Sequence, residues 1–171
     1  MIYEGHDQPD LLRNGLAISR AIHDRYKGDL RNPYNEIECS DHYSRAMASY
    51  GVFQAICGYQ HHGPNGYLAF APRMTPDDFR CAFTAANAWG TFDQKRTGDS
   101  QTVLIAVHDG TLELNSLEFV VPKNLAEVRV TLDSKNIDGV RLEMDGARAK
   151  LLFSQRLSIG ENATLRLAAI L

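Results

Sequence analysis

Ala126-Glu127-Val128-Arg129-Val130-Thr131-Leu132 alternates apolar and polar side chains, and Val140-Arg141-Leu142-Glu143-Met144 repeats the pattern between Asp138-Gly139 and Asp145-Gly146. A period of two puts Val128, Val130 and Leu132 on one face of an extended chain. Asp-Gly dipeptides supply the backbone conformation that tight hairpins require. The stretch therefore predicts short antiparallel strands with one covered face, the pattern of a β-sandwich.

The same reading extends outward. Strands are predicted over residues 67–70, 79–92, 102–108, 111–121, 149–153 and 164–170. Gly63-Pro64-Asn65-Gly66, Thr75-Pro76-Asp77-Asp78 and Asp109-Gly110 mark turns. The first third follows a different period. Pro9 suits the first turn of a helix, with Asp7 as its cap, and Leu12, Leu16, Ile18, Ile22 and Tyr26 recur at helical spacing up to a stop at Gly28. After a polar loop over residues 27–38, Ser40 or Asp41 caps a second helix whose apolar face is Tyr43, Met47, Tyr50, Phe53, Ile56 and Cys57, ending at Gly58. The expected fold class is α+β: a helical hairpin in residues 1–62, then an antiparallel β-sandwich-like region in residues 63–171. Leu11, Ala17, Ala21, Ala46 and Ala48 broaden the apolar surface beyond one stripe. Two helices alone do not bury such surfaces, which points to neighbours from other sequence or to self-association.

Bulk properties exclude several classes. The 171 residues are 44% hydrophobic and 23% charged, ordinary for a folded domain. A net charge of -3 provides no basic field for nucleic acid. No apolar run reaches the roughly 18 residues that span a bilayer. The acidic start, Met1-Ile2-Tyr3-Glu4-Gly5-His6-Asp7, does not read as a signal peptide. Cys39, Cys57 and Cys81 are an odd number without CxxC spacing, so neither a disulfide framework nor a zinc site is expected and a cytoplasmic location is favoured.

The chemistry concentrates in Arg31-Asn32-Pro33-Tyr34-Asn35-Glu36-Ile37-Glu38-Cys39-Ser40-Asp41-His42-Tyr43-Ser44-Arg45. Paired carboxylates are what glycoside hydrolysis uses. Glu36 and Glu38 alternate, however, so in an extended chain they face opposite ways. A plain structural reading makes Asp41 a helix cap, pairs Glu38 with an arginine and leaves Glu36 solvated. Glu36 and Arg45 make a different pair. One precedes the helix and the other sits on its second turn, so a loop folded back over the helix start aims both at one pocket. A carboxylate accepting from two hydroxyls and a guanidinium donating through a fixed fork would hold a neutral polyol. His42 and Tyr43 are candidate supports, although a helix-start hydrogen bond also accounts for His42.

Other groups carry two readings each. His61-His62 is a metal pair or a solvated turn. Trp89 is a sugar-stacking platform or a buried strand tryptophan. His108, Asp109 and Glu113 are a polar cluster for a small-barrel enzyme or part of a hairpin turn. The serines lack a nucleophile elbow, and no Gly-rich phosphate loop occurs. No metal or cofactor is expected.

The segment from Arg31 to Met47 resembles the C-terminal signature of glycoside hydrolase family 116, which includes bacterial β-glucosidases and non-lysosomal glucosylceramidases. The resemblance continues in order through Gly58-Tyr59, Gly63-Pro64, Phe70-Ala71-Pro72, Phe83-Thr84-Ala85-Ala86 and Trp89-Gly90-Thr91-Phe92, about the first half of the chain. Tyr34 stands where an indole is common and Ser40 where glycine is common. The resemblance implies the last helical hairpin of an (α/α)6 barrel from a retaining β-glycosidase. It implies that Glu36 and Arg45 bind hydroxyls of the glucosyl unit of a β-glucoside, while the nucleophile and the acid/base lie upstream of the signature. No residue here aligns with those two, so the isolated chain is expected to be inactive, with the rest of the barrel as its partner.

Overall fold

The computed structural model describes residues 1–2, 8–30, 47–122 and 125–171. These form two compact units, Met1–Gly58 and Tyr59–Leu171.

In the first unit, helix α1 spans Pro9–His23 and helix α2 spans Met47–Cys57. Pro9 opens α1 as its composition predicts, but the capping position is Gln8, whose side chain makes no capping bond. Gly28 does not terminate α1. The helix closes five residues earlier, where the Arg25 and Tyr26 amides bond back to Ile22 and His23 and tighten the last turn. Arg20 there holds Asp24 through two bonds of 2.8 Å. Gly28 instead begins a short 3-10 turn, Gly28–Leu30. Gly58 follows α2 at φ +58° and donates to Ala55, a glycine-type helix stop. Ile2 packs on Gly15 so closely that a Cβ there would lie 2.6 Å from the Ile2 side chain. The segment joining α1 to α2 lies outside the described residues, as does the start expected for the second helix.

The second unit is built of strands β1 (Gln60–His62), β2 (Tyr67–Phe70), β3 (Asp78–Thr84), β4 (Ala88–Thr97), β5 (Ser100–Gly110), β6 (Leu112–Val120), β7 (Glu127–Leu132), β8 (Lys135–Asn136), β9 (Val140–Asp145), β10 (Arg148–Ile159) and β11 (Thr164–Ile170). A five-stranded sheet runs β1-β2-β6-β10-β9 and a six-stranded sheet runs β3-β4-β5-β11-β7-β8. All pairings are antiparallel except β2 with β6, which is parallel, so the sandwich is mixed rather than purely antiparallel. The chain leaves β2, builds three strands of the other sheet and returns. Such a crossover permits the parallel pairing that a hairpin forbids.

Alternation buries one face of each sheet. On β5, Gln101, Val103, Ile105 and Val107 are buried while Thr102, Leu104, Ala106 and His108 are partly exposed. The two buried faces meet. Phe70 of β2 stacks on Phe92 of β4, with centroids 4.1 Å apart and planes inclined by 15°. Beside them, Leu117, Leu151, Ile105 and Leu165 are fully buried, each contributing about 1.5–3 kcal/mol over exposure. A polar clamp also crosses the interior. The Gln101 amide donates to the Val120 carbonyl at 2.9 Å and to Gln94 Oε1 at 3.1 Å, and Arg96 donates to the same carbonyl at 2.8 Å. Burial pulls the Arg96 pKa below its ordinary value, against the opposing influence of Asp77.

Two predicted hairpins are sheet changes. Asp109-Gly110 leads from β5 to β6 and Asp138-Gly139 from β8 to β9, strands that belong to different sheets. Asp145-Gly146 does turn a hairpin, with Asp145 opposite Arg148 and Gly146 at φ +56°. The single strand expected over residues 79–92 is two strands, β3 and β4, separated by Ala85-Ala86-Asn87. That turn lacks the usual glycine or proline signal and is closed by the Ala85 amide donating to the Ala88 carbonyl at 2.8 Å.

Candidate functional site

Glu36, Arg45, His42 and Tyr43 lie outside the described residues, as do Glu38 and Asp41. Tyr59, Phe70, Phe83 and Phe92, from four of the short motifs quoted above, converge in the sandwich. Tyr59, Phe83 and Phe92 all contact Phe70, at centroid distances of 5.5, 5.9 and 4.1 Å. The Tyr59 hydroxyl donates to the Thr84 carbonyl at 2.5 Å. Burial raises the pKa of this phenol, keeping it a neutral donor. Motifs far apart in sequence thus meet as one aromatic cluster that joins the two sheets. Its role is packing.

His61 and His62 end β1, and His62 is exposed where the chain enters the turn Gly63–Asn65, which favours the solvated turn over the metal pair. Adjacent strand residues face opposite ways, so the two rings do not converge. His62 Nδ1 instead accepts the Asn65 amide at 3.2 Å and caps the 3-10 turn Gly63–Asn65. His61 stacks on Tyr59, and burial followed by the charge of His62 lowers its pKa. Among the described residues no group of three or more His, Cys, Asp or Glu side chains is placed to hold a metal.

His108, Asp109 and Glu113 do not converge either. His108 and Asp109 end β5, whereas Glu113 lies on β6 of the other sheet and pairs with Arg156 at 3.5 Å. No described helix is long and apolar enough to cross a membrane.

Trp89 corrects the reading of a buried tryptophan, since the residue is 47% exposed. On β4, Ala88, Gly90, Phe92 and Gln94 point inward, which turns Trp89, Thr91, Asp93 and Lys95 out. Gly90 is required inside, because a Cβ there would lie 2.1 Å from the Ala106 carbonyl. The β4–β5 ladder bulges at this point: Trp89 pairs with Asp109 and Gly90 with Val107, leaving His108 as the extra residue. The His108 ring lies 5.1 Å from the indole, and its Nε2 is 3.2 Å from Thr91 Oγ1. The outward surface beyond bears two open hollows of about 330 and 450 Å³.

No family model matches the chain, and no curated protein sequence matches it. Among solved structures, an α-L-rhamnosidase from Dictyoglumus thermophilum is similar over 80% of this chain and 15% of its own, at 13% identity and a TM-score of 0.42. A GH127 β-L-arabinofuranosidase from Geobacillus stearothermophilus T6 is similar over 84% of this chain and 22% of its own, at 15% identity and a TM-score of 0.42. The chain therefore spans less than a quarter of either structure. At these values neither likeness assigns an activity or a substrate.

Proposed function

We propose that this chain is the C-terminal part of a retaining β-glycosidase resembling family 116, of the β-glucosidase and glucosylceramidase type. It contributes the sugar-binding residues Glu36 and Arg45 and no catalytic carboxylate. The observation that carries the reading is the ordered series of motifs from Arg31 through Phe92. In this reading α1 and α2 are the last hairpin of an (α/α)6 barrel and residues 63–171 form its β-rich tail. Glu36 accepts from the glucosyl hydroxyls and Arg45 donates to them, with His42 and Tyr43 in support. The nucleophile and the acid/base belong to sequence that this chain lacks. Assay of the purified chain with 4-nitrophenyl β-glucoside tests this: no turnover is expected, and hydrolysis above background would overturn the reading.

One observation favours a second reading, a non-catalytic binding or assembly module. Ile18 and Ile22 on α1 are 51% and 41% exposed, and Tyr50 and Phe53 on α2 are 67% and 43% exposed. Apolar helix faces of this kind call for a covering surface. The rest of a barrel would supply one, and so would a second copy of the chain. Sedimentation equilibrium separates the two, because only self-association gives a dimer whose formation Tyr50→Lys and Phe53→Lys abolish.

A further inference from the structure

We infer that the outward face of the six-stranded sheet is a binding surface for a neutral oligosaccharide, with Trp89 as its stacking platform. The inference stands on the described strands and does not require Glu36 or Arg45. Three ladders of outward side chains step away from Trp89. Thr91 pairs with Ala106 and Ala106 with Thr164; Asp93 with Leu104 and Leu104 with Arg166; Lys95 with Thr102 and Thr102 with Ala168. Successive ladders on one face are about 7 Å apart, so the surface from Trp89 to Lys95 runs for about 20 Å. That length takes several sugar rings in a row.

The side chains suit such a ligand. Small residues flank the bulkier middle ladder of Asp93, Leu104 and Arg166: Ala106 on the side toward Trp89, and Thr102 and Ala168 on the side away from it. The two hollows adjoin at the end away from Trp89, where both are lined by Ser100, Thr102 and Arg166. Charges of both signs lie along the face, with Arg80 paired to Asp93 at 3.3 Å and Lys95 and Arg166 alongside. Mixed signs provide donors and acceptors for hydroxyl groups without the one-sided field that selects a polyanion. At the far end the exposed indole offers a flat apolar face, with the His108 ring set at 49° beside it. An aromatic face followed by hydrogen-bonding groups matches a pyranose chain, whose rings carry C–H faces and hydroxyl edges.

Trp89 is the sole tryptophan of the chain, so its emission reports on this surface directly. Cellotetraose, laminaritetraose and maltotetraose are titrated into the whole chain, with emission and calorimetry as readouts. At least one of them is expected to shift the emission and release heat. Trp89→Ala and Arg166→Ala are expected to weaken binding about tenfold or more, and Trp89→Phe to restore most of it. Circular dichroism of each variant controls for folding. Absence of binding by all three sugars overturns the inference, as does binding by the Trp89→Ala chain that is as tight as that of the unsubstituted chain. Binding that Arg45→Ala abolishes overturns it too, while leaving the proposed function standing.

Discussion

Trp89 and His108 lie with their rings 5.1 Å apart on the outward side of the six-stranded sheet, brought together by a bulge between β4 and β5. His108 is the residue that the bulge leaves without a partner in the ladder. Replacing it with alanine therefore alters the surroundings of the indole while sparing the pairing of the strands. His108→Ala is expected to change the emission of Trp89 and to cost less than about 1 kcal/mol of stability. An unchanged spectrum would contradict the contact.

The inter-sheet core makes a larger prediction. Phe92 is fully buried and stacked on Phe70. Phe92→Ala is expected to cost about 3–5 kcal/mol in urea denaturation, through lost burial and the cavity left behind. A cost below about 1 kcal/mol would mean that the two sheets are not packed through this pair.

Gln101 tests the polar clamp. Gln101→Leu preserves bulk but removes the donor to Val120 and Gln94 and the acceptor for Arg96, which bonds to Gln101 Oε1 at 2.9 Å. Buried groups left without partners cost about 1–3 kcal/mol. Denaturation of Gln101→Leu is expected to show a loss in that range, and a neutral substitution would show that water or rearrangement replaces the clamp.

Two glycines separate conformation from space. Gly98 and Gly110 both have positive φ, +57° and +79°. Open space surrounds a Cβ at Gly98, whereas at Gly110 it would lie 2.0 Å from the Asn87 carbonyl. Gly98→Ala is expected to cost only the left-handed conformation, about 1–2 kcal/mol. Gly110→Ala is expected to cost clearly more, because the Asn87 carbonyl also accepts the Thr111 amide at 2.8 Å and its shift would strain the change of sheet. Equal melting temperatures for the two variants would contradict this placement.

His61 predicts a pH dependence. Burial and then His62 lower its pKa in the folded chain. The unfolded chain thus binds this proton at higher pH, so stability is present above the ordinary histidine value of about 6.5 and falls as pH drops through it toward the lowered folded value. Because the ring is half-buried, solvent screens the effect and the slope is shallow. Thermal unfolding followed from neutral to mildly acidic pH is expected to show a flatter decline for His61→Phe, which keeps a ring beside Tyr59. Parallel declines would count against the assignment.

The sandwich was legible because its strands alternate, as in Val128-Arg129-Val130, and period two needs no knowledge of partners. Strand partners were less legible. Asp109-Gly110 and Asp145-Gly146 look alike in sequence, yet one changes sheets and the other turns a hairpin, since long-range packing decides which strand receives the next. The Ala85-Ala86-Asn87 turn gave no local signal. Trp89 was readable in principle: it stands three residues from Phe92, and an odd spacing on one strand places two side chains on opposite faces. Burying Phe92 therefore required exposing Trp89. Gly28 misled because a helix also closes by tightening its last turn. The Glu36 and Arg45 pairing rests on the motif itself, since both residues lie outside the described structure.

The most direct test of the central claim is equilibrium binding of methyl β-glucoside by a chain carrying Trp89→Ala, with and without Arg45→Ala. The first substitution removes the surface platform and leaves only the proposed hydroxyl clamp. Weak binding is expected, because in the proposed reading most walls of the pocket belong to the rest of a barrel, and that binding is expected to be lost when Arg45 is replaced. No binding in the Trp89→Ala chain, or binding that Arg45→Ala leaves unchanged, would contradict the proposed reading.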